Sequence, residues 1–166
     1  MNIVIREMSE NDWKRVAEIY YQGIQTNMAT FQQEVPCYEE WDKSYLKKLR
    51  YVCTIDDNVV GWAALFLVSG RCVYAGVAEL SIYIDEQYRG QGIGTKLLTY
   101  VVDAAETSGI WTIQASIMEE NHASINLHKK CGFRMVGYIE KIGKDRDGVW
   151  RNTVLMERRS KLKKYN

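Results

Sequence analysis

Tyr88-Arg89-Gly90-Gln91-Gly92-Ile93-Gly94-Thr95 lies between two segments of opposite periodicity. Before it, Ala78 to Ile84 (Ala-Glu-Leu-Ser-Ile-Tyr-Ile) is rich in apolar and β-branched residues and reads as a strand. After it, Leu97, Leu98, Val101, Val102 and Ala105 recur at helical spacing. Three glycines therefore stand where a strand becomes a helix. A helix start leaves backbone N–H groups unpaired and carries the positive end of the helix dipole. Glycine lets that backbone approach a ligand closely, so the expected product is a phosphate or pyrophosphate site. A glycine-rich turn with no ligand is the plain alternative.

Two common nucleotide patterns fit poorly. The dinucleotide fingerprint is G-x-G-x-x-G near the start of a βαβ unit; here the glycines run G-x-G-x-G about halfway along the chain. The Walker A pattern ends Gly-Lys-Ser/Thr, whereas this loop continues Gly94-Thr95-Lys96.

Outward from the loop, the chain reads as one domain over residues 1–160, with a basic, solvated tail at 161–166. Ile3 to Arg6 reads as a strand, and Ser9 as the cap of a helix carrying Trp13, Val16, Ile19, Tyr20 and Ile24. A second helix is expected to carry Trp41, Tyr45, Leu46 and Leu49. Tyr51–Ile55 and Val59–Leu67 form a hairpin around Asp56-Asp57-Asn58. After an irregular link at 68–77 come the strand at 78–85 and a helix from about 92 to 107, closed by Ser108-Gly109. Trp111–Ile117 reads as a strand and Ala123–Cys131 as a helix. Phe133–Ile139 and Val149–Glu157 read as the last strands, joined through the polar loop Gly143 to Gly148. The order β-α-α-β-β-β-α-β-α-β-β implies an α/β fold with a mixed, mostly antiparallel sheet of about seven strands and helices on both faces.

Composition limits the function. The 166 residues carry a formal charge of +1, which gives no general attraction to nucleic acid or an anionic membrane. The four cysteines, Cys37, Cys53, Cys72 and Cys131, form no C-x-x-C pair, and His122 and His128 lie near only one of them. Metal-ligand spacing is absent. No apolar signal core or membrane-length run is present, so a cytoplasmic protein is expected.

Several features together resemble one family, the GNAT (GCN5-related) N-acetyltransferases. Arg89-x-x-Gly92-x-Gly94 is similar to their coenzyme A loop, and the order of elements is theirs. Asn121-His122-Ala123-Ser124, the apolar helix after it and Gly132-Phe133 resemble the second signature of the family. Ala78-Glu79-Leu80-Ser81-Ile82-Tyr83-Ile84 resembles a strand of the branch containing phosphinothricin acetyltransferases and L-amino acid N-acyltransferases. Ala29-Thr30-Phe31 with Pro36, Gly61-Trp62-Ala63 with Arg71 and Tyr74, and Val149 to Val154 are similar to the same branch. Where the branch often has Trp-x-Asp near its end, this chain has Asn152.

The resemblance implies transfer of acetyl from acetyl-CoA to the α-amine of a small amino acid or analogue, such as phosphinothricin, methionine sulfone or methionine sulfoximine. No metal is implied; a homodimer is. Arg89, Gly90, Gln91, Gly92, Ile93, Gly94 and Thr95 would cradle the pyrophosphate. The backbone of Ile82, Tyr83 and Ile84 would pair with the pantetheine arm, which Asn121 and Ser124 would also contact. Glu79 would be the general base. His128 would donate a proton to the leaving thiolate or orient the thiol, with Tyr83 as a second donor. Phe31, Arg71 and Tyr74 would meet the acceptor, Arg71 as a fork for its acidic group. Two other readings stay open: acetylation of a protein N-terminus or polyamine, and a non-catalytic coenzyme A-binding module. Glu34, Glu39 and Glu40 suit a polyamine, but the link 68–77 holds Arg71 and no acid.

Overall fold

Seven strands form one sheet in the order β1-β2-β3-β4-β5-β7-β6: β1 (Ile3–Glu7), β2 (Arg50–Ile55), β3 (Asn58–Leu67), β4 (Val77–Ile84), β5 (Thr112–Met118), β6 (Arg134–Lys144) and β7 (Trp150–Arg159). The computed structural model describes residues 1–166. Every neighbouring pair is antiparallel except β4 and β5. Helices α1 (Trp13–Gln25) and α2 (Tyr38–Ser44) cover one face; α3 (Ile93–Thr107) and α4 (His122–Lys130) cover the other. This is the mixed, mostly antiparallel sheet with helices on both faces that the sequence pattern predicts.

Each face buries its own apolar cluster. Leu97, Leu98, Val101 and Ala105 of α3 meet Ala63, Leu65, Ala78 and Ile113 of the sheet. Val16, Ile19, Tyr20 and Ile24 of α1 meet Trp41, Val52, Trp62 and Ala64. Alternation along β4 divides its side chains between the two. Leu80, Ile82 and Ile84 join the α3 side, while Tyr83 packs with the α1 side.

Four local readings change. Ser9 opens a short 3₁₀ turn, Glu10–Asp12, ahead of α1, and the Asp12 carboxylate accepts from its backbone N–H at 2.9 Å. α2 stops at Ser44, with Tyr45 extended at φ −111°, ψ 156°. The buried Arg50 guanidinium draws the chain out of the helix: it lies 4.8 Å from the Trp41 ring centroid and bonds the Asp42, Tyr45 and Leu46 carbonyls and the Asp42 carboxylate. Leu46 then donates to Leu65 of the sheet at 2.8 Å. β6 runs five residues further than expected, to Lys144. The C-terminal lysines are exposed, but the tail itself is docked, with the Tyr165 hydroxyl donating to the Glu106 carbonyl at 2.8 Å.

Tyr83 needs a glycine opposite it. Its ring stacks on Tyr20 and Trp62 at centroid distances of 5.0 Å each. A Cβ at Gly23 would lie 2.5 Å from two ring carbons of Tyr83. Because the ring is held on both sides, Gly23→Ala is expected to destabilise the fold by about 1–3 kcal/mol through overpacking, measured by chemical denaturation. An unchanged midpoint would contradict this packing.

Candidate active site

The site begins where β4 and β5 part. Their parallel ladder holds only Val77↔Thr112, Ala78↔Ile113 and Glu79↔Gln114. Beyond Glu79, β4 pairs only with β3, and β5 only with β7. Asp85 N–H donates to the Val60 carbonyl, and the Val77 carbonyl accepts from Val68. The odd-numbered residues of β4 thus bond β3, and antiparallel alternation turns the N–H and C=O of Leu80, Ile82 and Ile84 toward the split. The Tyr83 backbone, expected to face a ligand, belongs instead to the β3 ladder. The Ile84 carbonyl is taken by Arg89 Nε at 3.1 Å.

The glycine loop lies at the open end of the split. Gly90 and Gly92 have φ of 74° and 80°, a conformation that costs an L-residue energy. The first α3 bond runs from Lys96 N–H to the Gly92 carbonyl at 3.2 Å. No backbone N–H from Arg89 to Thr95 donates to a protein acceptor. Gly94 lets α3 approach its neighbours: a Cβ there would lie 3.2 Å from Leu127 of α4. A run of free amides at the start of a 15-residue helix suits a diphosphate.

Two cavities meet at the split. The larger, about 540 Å³, is lined by Ile82, Tyr83, Ile84, Arg89, Gly90, Gly92, Gly94, Thr95, Asn121 and Ser124, as expected. Gln91 and Ile93 do not line it; Gln91 Nε2 donates to the Gln87 carbonyl at 3.1 Å, and Ile93 is core. Thr26, Met28, Leu127 and Lys130 line it without having been singled out by motif. The second cavity, about 380 Å³, holds Phe31, Glu79, Tyr83 and His128. Tyr20, Tyr45, Phe66, Ser116, Met118 and Thr153 also line it. Ala29, Ile82, Tyr83, Asn121 and Ser124 border both. Arg71 and Tyr74 line neither. They sit on the exposed 68–77 link, where the Arg71 guanidinium lies 5.6 Å from the Tyr74 ring centroid.

The loop after α1 roofs both cavities, and the turn between β6 and β7 straps it down. Arg151 Nη1 bonds the Asn27 carbonyl at 3.4 Å and the buried Asp145 carboxylate at 2.9 Å, while Nη2 reaches Glu120 at 3.1 Å. Gly143 leaves room for Phe31, whose ring carbons would lie 3.2 to 3.3 Å from a Cβ there. Asn152 Oδ1 accepts from Lys141 N–H at 2.8 Å, and its Nδ2 donates to Glu119 at 3.0 Å.

The titratable groups have distinct settings. Glu79 Oε1 accepts from Ser116 Oγ at 2.7 Å, and Oε2 has no protein partner. Burial raises the Tyr83 hydroxyl far above its usual range and Tyr20 to about 12, so both keep their protons at neutral pH. Tyr45, bonded to Ser81 Oγ at 2.9 Å, is also raised by burial. His128 Nδ1 lies 2.7 Å from the Ser124 carbonyl, which can only accept, so Nδ1 carries a proton. Burial lowers this imidazole below its ordinary 6.5. At neutral pH it is therefore neutral, and its Nε2 is an acceptor. That corrects the expectation that His128 donates a proton to a thiolate.

An NMR titration should place the His128 midpoint below 6.5, the ordinary value, with Nδ1 protonated throughout. Because the folded pKa lies below the unfolded one, stability should be full above 6.5 and decline as pH falls through the window beneath it. A midpoint above neutrality would contradict the burial argument.

Known proteins match this geometry. The acetyltransferase (GNAT) family profile matches residues 13–133. The phosphinothricin N-acetyltransferase of Alcaligenes faecalis is 30% identical over 161 residues, which cover 93% of this chain and 81% of that protein. The L-amino acid N-acyltransferase MnaT of Escherichia coli (strain K12) is 25% identical over 158 residues, covering 92% of this chain and 91% of that protein. A crystal structure of the phosphinothricin acetyltransferase of Sinorhizobium meliloti in complex with acetyl-CoA superimposes with a TM-score of 0.85 at 27% identity, covering 96% of this chain and 89% of that one. With a family match from α1 through α4 and a relative similar over nearly the whole chain, this protein belongs to the GNAT acetyltransferase family.

Proposed function

We propose that this chain transfers acetyl from acetyl-CoA to the primary amine of a small amino acid or analogue of the phosphinothricin, methionine sulfone or methionine sulfoximine type. The observation that carries this reading is the junction of the two cavities. A long cavity with free amides at its far end opens, beside Ile82 and Tyr83, into a chamber holding one carboxylate. The relatives' names support the choice of acceptor.

The residues present fit acetyl-CoA. The amides of Arg89 to Thr95 would hold its pyrophosphate, and Arg89 and Lys130 add positive charge beside them. The Leu80 carbonyl, the Ile82 backbone and the Ile84 N–H would pair with the pantetheine as an added strand. Bound there, acetyl-CoA supplies an already activated thioester.

The protein's own tasks are positioning and proton transfer. A free α-amine is mostly protonated at neutral pH, having a pKa of about 7.7–8.0. Glu79 accepts that proton through Oε2, directly or through one water, while Ser116 holds Oε1. Tyr83 keeps its proton and is the hydrogen-bond donor to the developing negative charge and to the leaving thiolate, which takes its proton from solvent. His128 holds the α4 end of the chamber in a fixed tautomer and is a proton acceptor at Nε2. Phe31 packs on the acceptor.

One observation favours a second reading, an amine without an acidic group. No Arg or Lys lines the acceptor chamber, and Arg71 stands outside it. Turnover of acetyl-CoA, followed by thiol release, against phosphinothricin, methionine sulfone, methionine sulfoximine, ordinary amino acids, a peptide and spermidine separates the two. Turnover confined to amines without an acidic group would overturn the amino acid reading.

Glu79→Gln keeps the bond to Ser116 in size and should lower kcat/KM at neutral pH by about 10²–10⁴-fold. Unchanged turnover at every pH would remove Glu79 as the base. The chain is also proposed to pair as a homodimer. β6 is an edge strand, and Met135, Tyr138, Ile142, Val149 and Trp150 are exposed on its hairpin. Size-exclusion chromatography with light scattering should give twice the 19.3 kDa chain mass; a monomer at micromolar concentration would contradict it.

A further inference from the structure

The glycine loop does not hold itself. Its amides from Arg89 to Thr95 make no bond within the protein, and Gly90 and Gly92 lack the side chains that would stiffen it. Two of its side chains reach back to the entry, Arg89 Nε to the Ile84 carbonyl and Gln91 Nε2 to the Gln87 carbonyl, and that entry is built around one carboxylate. Asp85, 3% exposed, ends β4 just before the 3₁₀ turn Glu86–Tyr88 that leads into the loop. Its Oδ1 accepts from Gln87 N–H at 2.8 Å, and its carbonyl accepts from Tyr88 N–H at 2.9 Å.

The other carboxylate oxygen reaches α1. Arg15 pairs with Oδ2, and Gln22 Nε2 donates to it at 3.3 Å. Gln22 also returns to the turn: its Oε1 accepts from Glu86 N–H at 2.9 Å. Arg15 Nε is anchored on the Val59 carbonyl at 3.0 Å. So α1, the β3 backbone and the turn converge on a buried carboxylate that lines neither of the two cavities at the split.

We propose that the Arg15–Asp85–Gln22 cluster is a positioning device for donor binding, holding the turn so that the free amides of the loop converge before acetyl-CoA arrives. The proposal rests on the reading of the larger cavity as the acetyl-CoA site. Ordering a glycine-rich loop costs backbone entropy. When the cluster bears that cost in the folded protein, binding does not. Asp85 and its partners touch no part of the acceptor chamber, so their effect falls on the donor alone.

The test is titration calorimetry with acetyl-CoA, steady-state kinetics in both substrates and thermal melts, on Asp85→Asn, Gln22→Leu and Arg15→Met. Asp12→Asn is the control. It weakens a comparable pair, that of buried Asp12 with exposed Arg6 at 2.8 Å, which lines neither cavity. Asp85→Asn and Gln22→Leu should raise the Kd and KM for acetyl-CoA about tenfold or more, as expected for losing hydrogen bonds to a charged group. The kcat at saturating acetyl-CoA and the acceptor KM should stay at wild-type values. Arg15→Met should add nothing to Asp85→Asn, because both act through one carboxylate. Asp12→Asn should lower the melting temperature and leave the Kd alone. If Asp85→Asn fails to fold, Gln22→Leu and Arg15→Met carry the test. A lowered melting temperature with an unchanged Kd would make the cluster merely structural and overturn the proposal, as would an acceptor KM rising in step. Wild-type protein that binds no acetyl-CoA would instead overturn the cavity reading, and this inference with it.

Discussion

The structure depends on a ladder left unfinished. β4 and β5 run parallel for three paired positions and then separate at Glu79↔Gln114. A buried strand rarely leaves its backbone unbonded, because unpaired N–H and C=O groups cost free energy. Here the free backbone groups of Ile82 and the Ile84 N–H open onto a cavity rather than onto core. The chain tolerates the gap because each strand keeps a full antiparallel partner on its other side, β3 for β4 and β7 for β5.

The split also sorts chemistry by alternation. On one face of β4, Leu80, Ile82 and Ile84 pack toward α3 and α4. On the other, Glu79, Ser81 and Tyr83 meet the aromatic layer of Tyr20, Tyr45 and Trp62. One strand thus presents backbone to the larger cavity and a carboxylate with two hydroxyls to the smaller. Burial then sets the protonation states: the tyrosines stay protonated and the imidazole stays neutral.

Most of this was legible in the sequence where a residue type has few other uses. Three alternating glycines between a strand and a helix marked the loop, and the structure gives two of them positive φ. Asp56-Asp57 marked a turn, and both residues take positive φ. Legibility failed where distant parts decide. α2 ends at Ser44 because Arg50, six positions on, gathers the Asp42 carbonyl and those of Tyr45 and Leu46 just past the helix. Arg71 and Tyr74 carry suitable chemistry, but the link that bears them runs outside the chamber. Thr26, Met28 and Lys130 line a cavity through loop and helix placement, which no local pattern announces. The direction of the His128 proton depended on one carbonyl and on burial, neither visible in composition.

Backbone amide hydrogen exchange with and without acetyl-CoA tests the central claim most directly. The account predicts that Ile82, Ile84 and the amides from Arg89 to Thr95 exchange quickly in the free protein and slow on binding. Ser81 and Tyr83, already bonded to β3, should exchange slowly in both states. Binding of acetyl-CoA that leaves Ile82 and the loop amides unprotected would contradict the account, because the unfinished ladder would then hold no ligand.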